Sequence, residues 1–305
     1  MTVDVAAKLE GLRDLRARAP QEVRRLFAER RRRALLGADG RLMLVAADHP
    51  ARGALAARGD EIAMANRDDL LTRLLVALEQ PGVDGVLGTA DILEDLLVLG
   101  ALDGKVVIGS MNRGGLAGAA FEFDDRFTGY DVPTIIEGGL DGGKMLCRIC
   151  LDDPATVRTL EACSSAMSGL NQAELMAMVE PFWSRRAEGR VTNDLSAEAV
   201  IRSVAVASGL GSRSAHTWMK LPVVERMDDV MGATTLPTLI LGGDPSGDPE
   251  ITYEAWRRAL GLPGVRGLVV GRALLYPLDG DVAAAVNIAS SMVHDGQEGS
   301  ERGTA

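Results

Sequence analysis

The sequence predicts a (β/α)8 TIM barrel of the α/β class with an N-terminal helical extension, and three observations predict it. One pattern recurs eight times along the chain: a short apolar run, a Gly/Asp-rich corner, then a helical stretch. The runs are almost continuously apolar rather than alternating, as expected of parallel strands covered on both faces. The corner after the first run reads Ala47-Asp48-His49-Pro50-Ala51-Arg52-Gly53. It has neither the GxGxxG nor the GxxxxGK spacing that a doubly wound sheet, the competing fold, would place there. Eight such units in about 240 residues match a closed barrel.

Residues 1–40 form the extension. Leu9, Leu12, Leu15, Val23, Leu26 and Phe27 mark a helical apolar face, which Pro20 divides into two helices. The cluster Arg30 to Arg33 at its end reads as a solvated helix face docked by its leucines, against an anionic-ligand or membrane patch. The barrel occupies 41–290. Its strands are Leu42–Ala47, Val83–Gly88, Lys105–Ser110, Lys144–Cys150, Glu174–Glu180, Ser214–Lys220, Leu236–Gly242 and Arg266–Gly271. Between them, Asp68–Glu79 buries Leu70, Leu71, Leu74, Leu75 and Leu78, and Ser196–Ser208 opens on a serine cap. The third connection, Met111–Gly143, is long enough to be a lid or a structural excursion. Residues 291–305 have almost nothing to bury and read as a frayed, disordered tail.

Composition narrows the function classes. Hydrophobic residues make up 47% of the 305-residue chain, enough for a large core and incompatible with a disordered body. Lys plus Arg is 33 against 43 for Asp plus Glu, a formal net charge of −10, the wrong balance for nucleic acid. The charged start MTVDVAAKLEGLRDL lacks a signal-peptide core, and no apolar stretch approaches the ~18 residues of a membrane span. A cytoplasmic protein is therefore expected, with neither nucleic acid nor membrane as partner. Cys147 and Cys150 fall on opposite faces of one strand, without a second CxxC or a histidine cluster. They read as core thiols, and neither a metal nor a cofactor is expected.

In a barrel, chemistry gathers at the carboxyl ends of the strands. Asp48, followed by His49, ends the first strand, Ser110 the third, Glu180 the fifth and Lys220 the sixth. Gly242-Gly243 follow the seventh and Gly271-Arg272 the eighth. Alternation groups Lys144 with Arg148 on the fourth strand, and Trp218 with Lys220 on the sixth. A lysine set in HTWMKLPVV is costly to bury as an ammonium, which points to a free amine that attacks a carbonyl. Lowering its pKa to about 7 takes roughly 4–5 kcal/mol, from burial plus a cation such as Lys144 or Arg148. Asp48 and Glu180 then suit the proton transfers of carbinolamine dehydration and carbon–carbon cleavage, or alternatively salt bridges to Lys144, Arg148 or Lys220. The glycine pairs and Arg272 suit an anionic group. Against a phosphate stand three carboxylates of the next loop, Asp244, Asp248 and Glu250.

Six segments in order carry a resemblance: AADHPARG, GGKMLCRI, MVEPF, TWMKLPV, LPTLILGGD and GLVVGRALLYP. On them the chain, from about Arg41 to Asn287, resembles the class I aldolase superfamily of the deoxyribose-phosphate, tagatose-bisphosphate and archaeal-type fructose-bisphosphate aldolases. It also resembles an actinobacterial branch found near myo-inositol catabolism genes. The resemblance implies a metal-independent lyase acting through a lysine imine, with no cofactor. Its imine lysine falls on Lys220, with Lys144, Asp48 and Glu180 as catalytic companions. Arg148, His49, Ser110, Trp218, Gly242, Gly243, Gly271 and Arg272 are the expected substrate contacts. The implied partner is a small-molecule sugar phosphate or keto acid, and a homo-oligomer is implied. An acyltransferase or isomerase on the same lysine barrel, or a non-catalytic sugar-phosphate-binding protein, are the competing readings. The chain departs from the family's usual DHG after the first strand, and in the long third connection and the acidic seventh loop.

Overall fold

The structure, a computed structural model, describes residues 2–187, 190–243 and 247–295. Eight parallel strands close on themselves. They are β1 (Leu42–Ala46), β2 (Gly85–Gly88), β3 (Val106–Ser110), β4 (Gly142–Ile149), β5 (Met176–Ala187), β7 (Thr217–Leu221), β8 (Thr238–Leu241) and β9 (Val265–Val270). The order β4-β3-β2-β1-β9-β8-β7-β5 is closed by pairing of β4 with β5, which makes a (β/α)8 barrel. The eight apolar runs of the sequence are these eight strands.

One further strand was not foreseen. β5 continues past Pro181 to Ala187, and β6 (Arg190–Asn193) pairs with that extension antiparallel, Ser184 opposite Asn193. The hairpin rises above the barrel, where Arg185 and Arg186 are exposed, so no continuous apolar run announces it. At its other end β5 starts at Met176 rather than Glu174, which adopts a left-handed conformation at φ 57° and turns the chain into the sheet.

Alternation divides the core in two. Leu42, Leu44, Leu87, Ile108, Met178, Trp218, Leu239 and Val269 fill the barrel, while Met43, Val45, Val86, Val107, Met145 and Val179 face the helices. Gly267 marks the tightest approach: at φ +147° a side chain there would lie 1.9 Å from the carbonyl oxygen of Leu42. The ring of helices includes α3 (Arg67–Leu78), α4 (Ala90–Val98), α7 (Ala197–Ser208) and α11 (Val282–His294). Ser196 caps α7 by accepting from the Ala199 amide. Cys147, Cys150 and Cys163 are buried and free.

Helices α1 (Thr2–Arg18) and α2 (Gln21–Glu29), divided at Pro20, pack by Leu9, Leu12 and Val23. Arg16 pairs with Glu94 and Asp95 of α4, and Arg13 with Asp68 of α3. The arginine cluster is a correction to the sequence reading, because it follows α2 and is no helix face. Arg31 pairs with Asp103, Arg32 with Asp141 and Arg33 with Asp84, each aspartate preceding a barrel strand. Arg30 donates to the carbonyls of Lys105 and Gly139. Leu35 and Leu36 then pack against the interior core, so this strap seals the floor of the barrel. At the other end α11 runs to His294, past the expected start of the tail, and residues 296–305 lie outside the described residues. Among the described residues no helix is long and apolar enough to cross a membrane.

Candidate active site

Inward parity carries Asp48, Ser110, Lys144, Glu180 and Lys220 to the top of the barrel interior, one layer above the apolar filling. Four of their ionic groups form a chain. Lys220 Nζ lies 2.9 Å from Glu180 Oε1, Glu180 Oε2 pairs with Lys144 Nζ, and Lys144 Nζ stands 3.3 Å from Asp48 Oδ2. Ser110 Oγ donates to the same Asp48 oxygen at 3.0 Å. Arg113, from the loop after β3, also pairs with Asp48. Asp48 and Lys144 have no exposed surface, whereas Glu180 and Lys220 open on a cavity of about 510 Å³. His49, Arg52, Arg113, Gly242, Gly243, Gly271 and Arg272 line it, with Leu146, Phe182, Ile251 and Trp256 as its apolar wall.

Charge is distributed unevenly in this pocket. Burial opposes ionisation of Glu180, but Lys144, Lys220 and Arg113 outweigh it and hold the carboxyl well below its usual range. Burial pushes Lys220 below the ordinary lysine value, Glu180 opposing and Arg113 reinforcing the shift. Lys144 is likewise pushed well below the ordinary lysine value, by burial first and then by Arg113. His49 is lowered to about 3 by burial, Arg272 and Lys220, and is therefore neutral. Asp48 Oδ1 and His49 Nδ1 are buried without a hydrogen-bond partner and stand 3.9 Å apart.

The Cgl0159-like family model matches residues 40–290, most of the chain. The chain belongs to the Cgl0159-like family. Cgl0159 from Corynebacterium glutamicum is 58% identical to it, at a TM-score of 0.93 over 95% of this chain and 97% of that one. An archaeal fructose 1,6-bisphosphate aldolase is 17% identical at a TM-score of 0.64, over 90% and 99% of the two chains. A second archaeal aldolase, solved with its catalytic lysine covalently bound to the carbinolamine intermediate, is 18% identical at 0.62, over 89% and 99%. At that identity both aldolases share the fold alone. None of the curated proteins matches the chain.

Within this Cgl0159-like chain several expected contacts sit elsewhere. Arg148 points inward from β4 but is taken by Asp125, at 2.8 and 2.6 Å, and by Glu122 at 3.2 Å. With both carboxylates on it, it braces the loop and does not line the cavity. Trp218 belongs to the apolar filling beneath Lys220. Ser110 supports Asp48 from below. His49, Gly242, Gly243, Gly271 and Arg272 line the cavity. A side chain at Gly271 would meet the Ala46 carbonyl at 2.4 Å, so the approach of β9 to β1 requires glycine. Of the three carboxylates expected to repel a phosphate, Asp248 caps α9 (Pro249–Leu260), Glu250 is exposed on it, and Asp244 lies outside the described residues.

The long third connection is neither open nor detached. Asn112 clips it to β4 by donating to the carbonyls of Asp125 and Leu146 and accepting from the Leu146 amide. Phe123 and Asp125 are buried in it, and α5 (Val132–Glu137) ends it behind a capping box on Asp131 and Thr134. It is a fixed wall, and it supplies Arg113. That residue and Arg52 are the cavity cations that sequence reasoning missed. The only signal for Arg113 was its place three residues after Ser110, which ends the third strand.

Proposed function

We propose that this protein is a class I aldolase, a carbon–carbon lyase whose Lys220 forms an imine with a small anionic ketose or keto-deoxy sugar acid. The observation that carries this reading is the position of Lys220: an amine at the floor of an open cavity, depressed in pKa, and 2.9 Å from a carboxylate. An uncharged Lys220 attacks the substrate carbonyl, and Glu180 is within reach to move the protons that convert carbinolamine to imine and water. The protonated imine then accepts the electron pair of the bond between its α and β carbons as that bond breaks, leaving an enamine that takes up a proton and is hydrolysed by water to free Lys220. Loss of the neighbouring hydroxyl proton to a base completes the cleavage. Glu180, the carboxylate that opens on the cavity, is the base we assign, and Lys144 connects it to Asp48 behind it. Arg272, with the backbone at Gly242 and Gly271, suits the substrate's phosphate or carboxylate. The amine performs this chemistry without a metal.

The test is trapping. Protein incubated with dihydroxyacetone phosphate, or separately with pyruvate, is reduced with borohydride and digested. We expect a stable adduct on Lys220, within the peptide Ser214–Arg226, that is absent from Lys220→Met. Adducts confined to surface lysines with both carbonyl compounds would overturn the reading.

A further inference from the structure

Two sets of buried charges meet on the β3–β4 side of the site, and they balance differently. Arg52 and Arg148 face Glu122 and Asp125, two cations on two carboxylates. The inner set places Arg113, Lys144 and Lys220 on Asp48 and Glu180, three cations on two carboxylates. All five inner groups are at least nine-tenths buried. Asp125 and Arg148 of the outer set also bear on Arg113, with opposite signs, Asp125 bears on Lys144 and Arg52 on Glu180. Beyond these, among the described residues, stand His49, which is neutral, and the cation Arg272. The outer set is balanced within itself, so it leaves no carboxylate over for the inner one.

We infer that Arg113 is a positioning residue for the amine chemistry proposed above, on which this inference rests: by claiming Asp48 it leaves the lysine pair one negative charge short. The surplus is relieved when one amine gives up its proton. Arginine holds its proton more tightly than lysine, so the loss falls on the pair. Glu180 touches both amines and lets the proton deficit reach Lys220, the one open to substrate. The direction of both lysine shifts agrees, since Arg113 contributes to each.

Charge balance makes the test specific. Trace acetic anhydride reacts only with neutral amines, so the pH dependence of Lys220 acetylation reads its pKa without any substrate. In Arg113→Met two cations face two carboxylates, and the labelling midpoint should rise by about one pH unit or more. Arg113→Lys, whose own amine can give up the proton, should raise the midpoint by less than Arg113→Met does. Asp48→Asn widens the surplus and should lower the midpoint, and the double variant Asp48→Asn with Arg113→Met restores the wild-type balance and should return it. A midpoint unmoved in folded Arg113→Met, or a double variant that shifts as far as Arg113→Met alone, would overturn the proposal. These readings are independent of catalysis: a midpoint that moves as expected while borohydride traps nothing would fault the aldolase reading and leave the role of Arg113 standing.

Discussion

Glu180 holds two lysines on its two oxygens, and removing its charge alone has a calculable consequence. Glu180→Gln keeps the volume but takes away the group that handles protons next to the amine. Turnover of any substrate found by trapping should fall about 10²–10³-fold. The remaining activity should shift to lower pH, because Lys220 loses its stabilising anion and sheds its proton earlier; a pH profile of kcat/KM checks this. A wild-type profile rises with pH as Lys220 deprotonates, with its midpoint below the ordinary lysine value. Lys220 was legible in the sequence because a lysine flanked by apolar strand residues must end in a polar pocket or at the rim. Asp48 and Glu180 were legible for the same reason. Arg113 was not, because a loop residue has no periodicity to give its direction, and Arg148 misled because parity fixes a side chain's face but not its partner.

The segment between β3 and β4 shows how an irregular element is made rigid. Arg148 supplies the bond that matters most, with Asp125 and Glu122 both buried against it. Arg148→Met would leave Asp125 unpaired, a change that costs about 3–5 kcal/mol when a buried ion pair loses one partner. Glu122 keeps Arg52, which places the effect toward the lower end. Urea unfolding measures it, and the same variant should lose Lys220 reactivity at neutral pH as Arg113 loosens. At this scale strands β1 to β5 and β7 to β9 followed from apolar runs, since burial on two faces leaves no room for alternation. The β5–β6 hairpin and the arginine strap did not, because their partners lie far along the chain and their exposed residues resemble any charged surface.

Across the molecule, the two flanks of the barrel meet at its floor. Asp84 takes Arg33 of the strap, the Met43 amide of β1 and His294 of α11, and His294 also meets Asp39 at 2.5 Å. Asp84 and Asp39 raise the His294 pKa to about 9, against 6.5 when unfolded. The stabilisation is complete below about pH 6.5 and is lost as pH rises through about 9. Discounted for the ring's partial exposure, it amounts to about 1 kcal/mol. Between pH 6.5 and 9.5 wild-type Tm should fall, and His294→Gln should start lower and fall less. The barrel itself was foreseeable from eight repeats, whereas this latch joins residues 255 positions apart. All three native thiols are inaccessible, and exposed Asp295 follows the latch on the face opposite the cavity. An Asp295→Cys variant would thus accept a maleimide dye or a solid support at one point, with the mouth of the barrel turned toward the bulk solution.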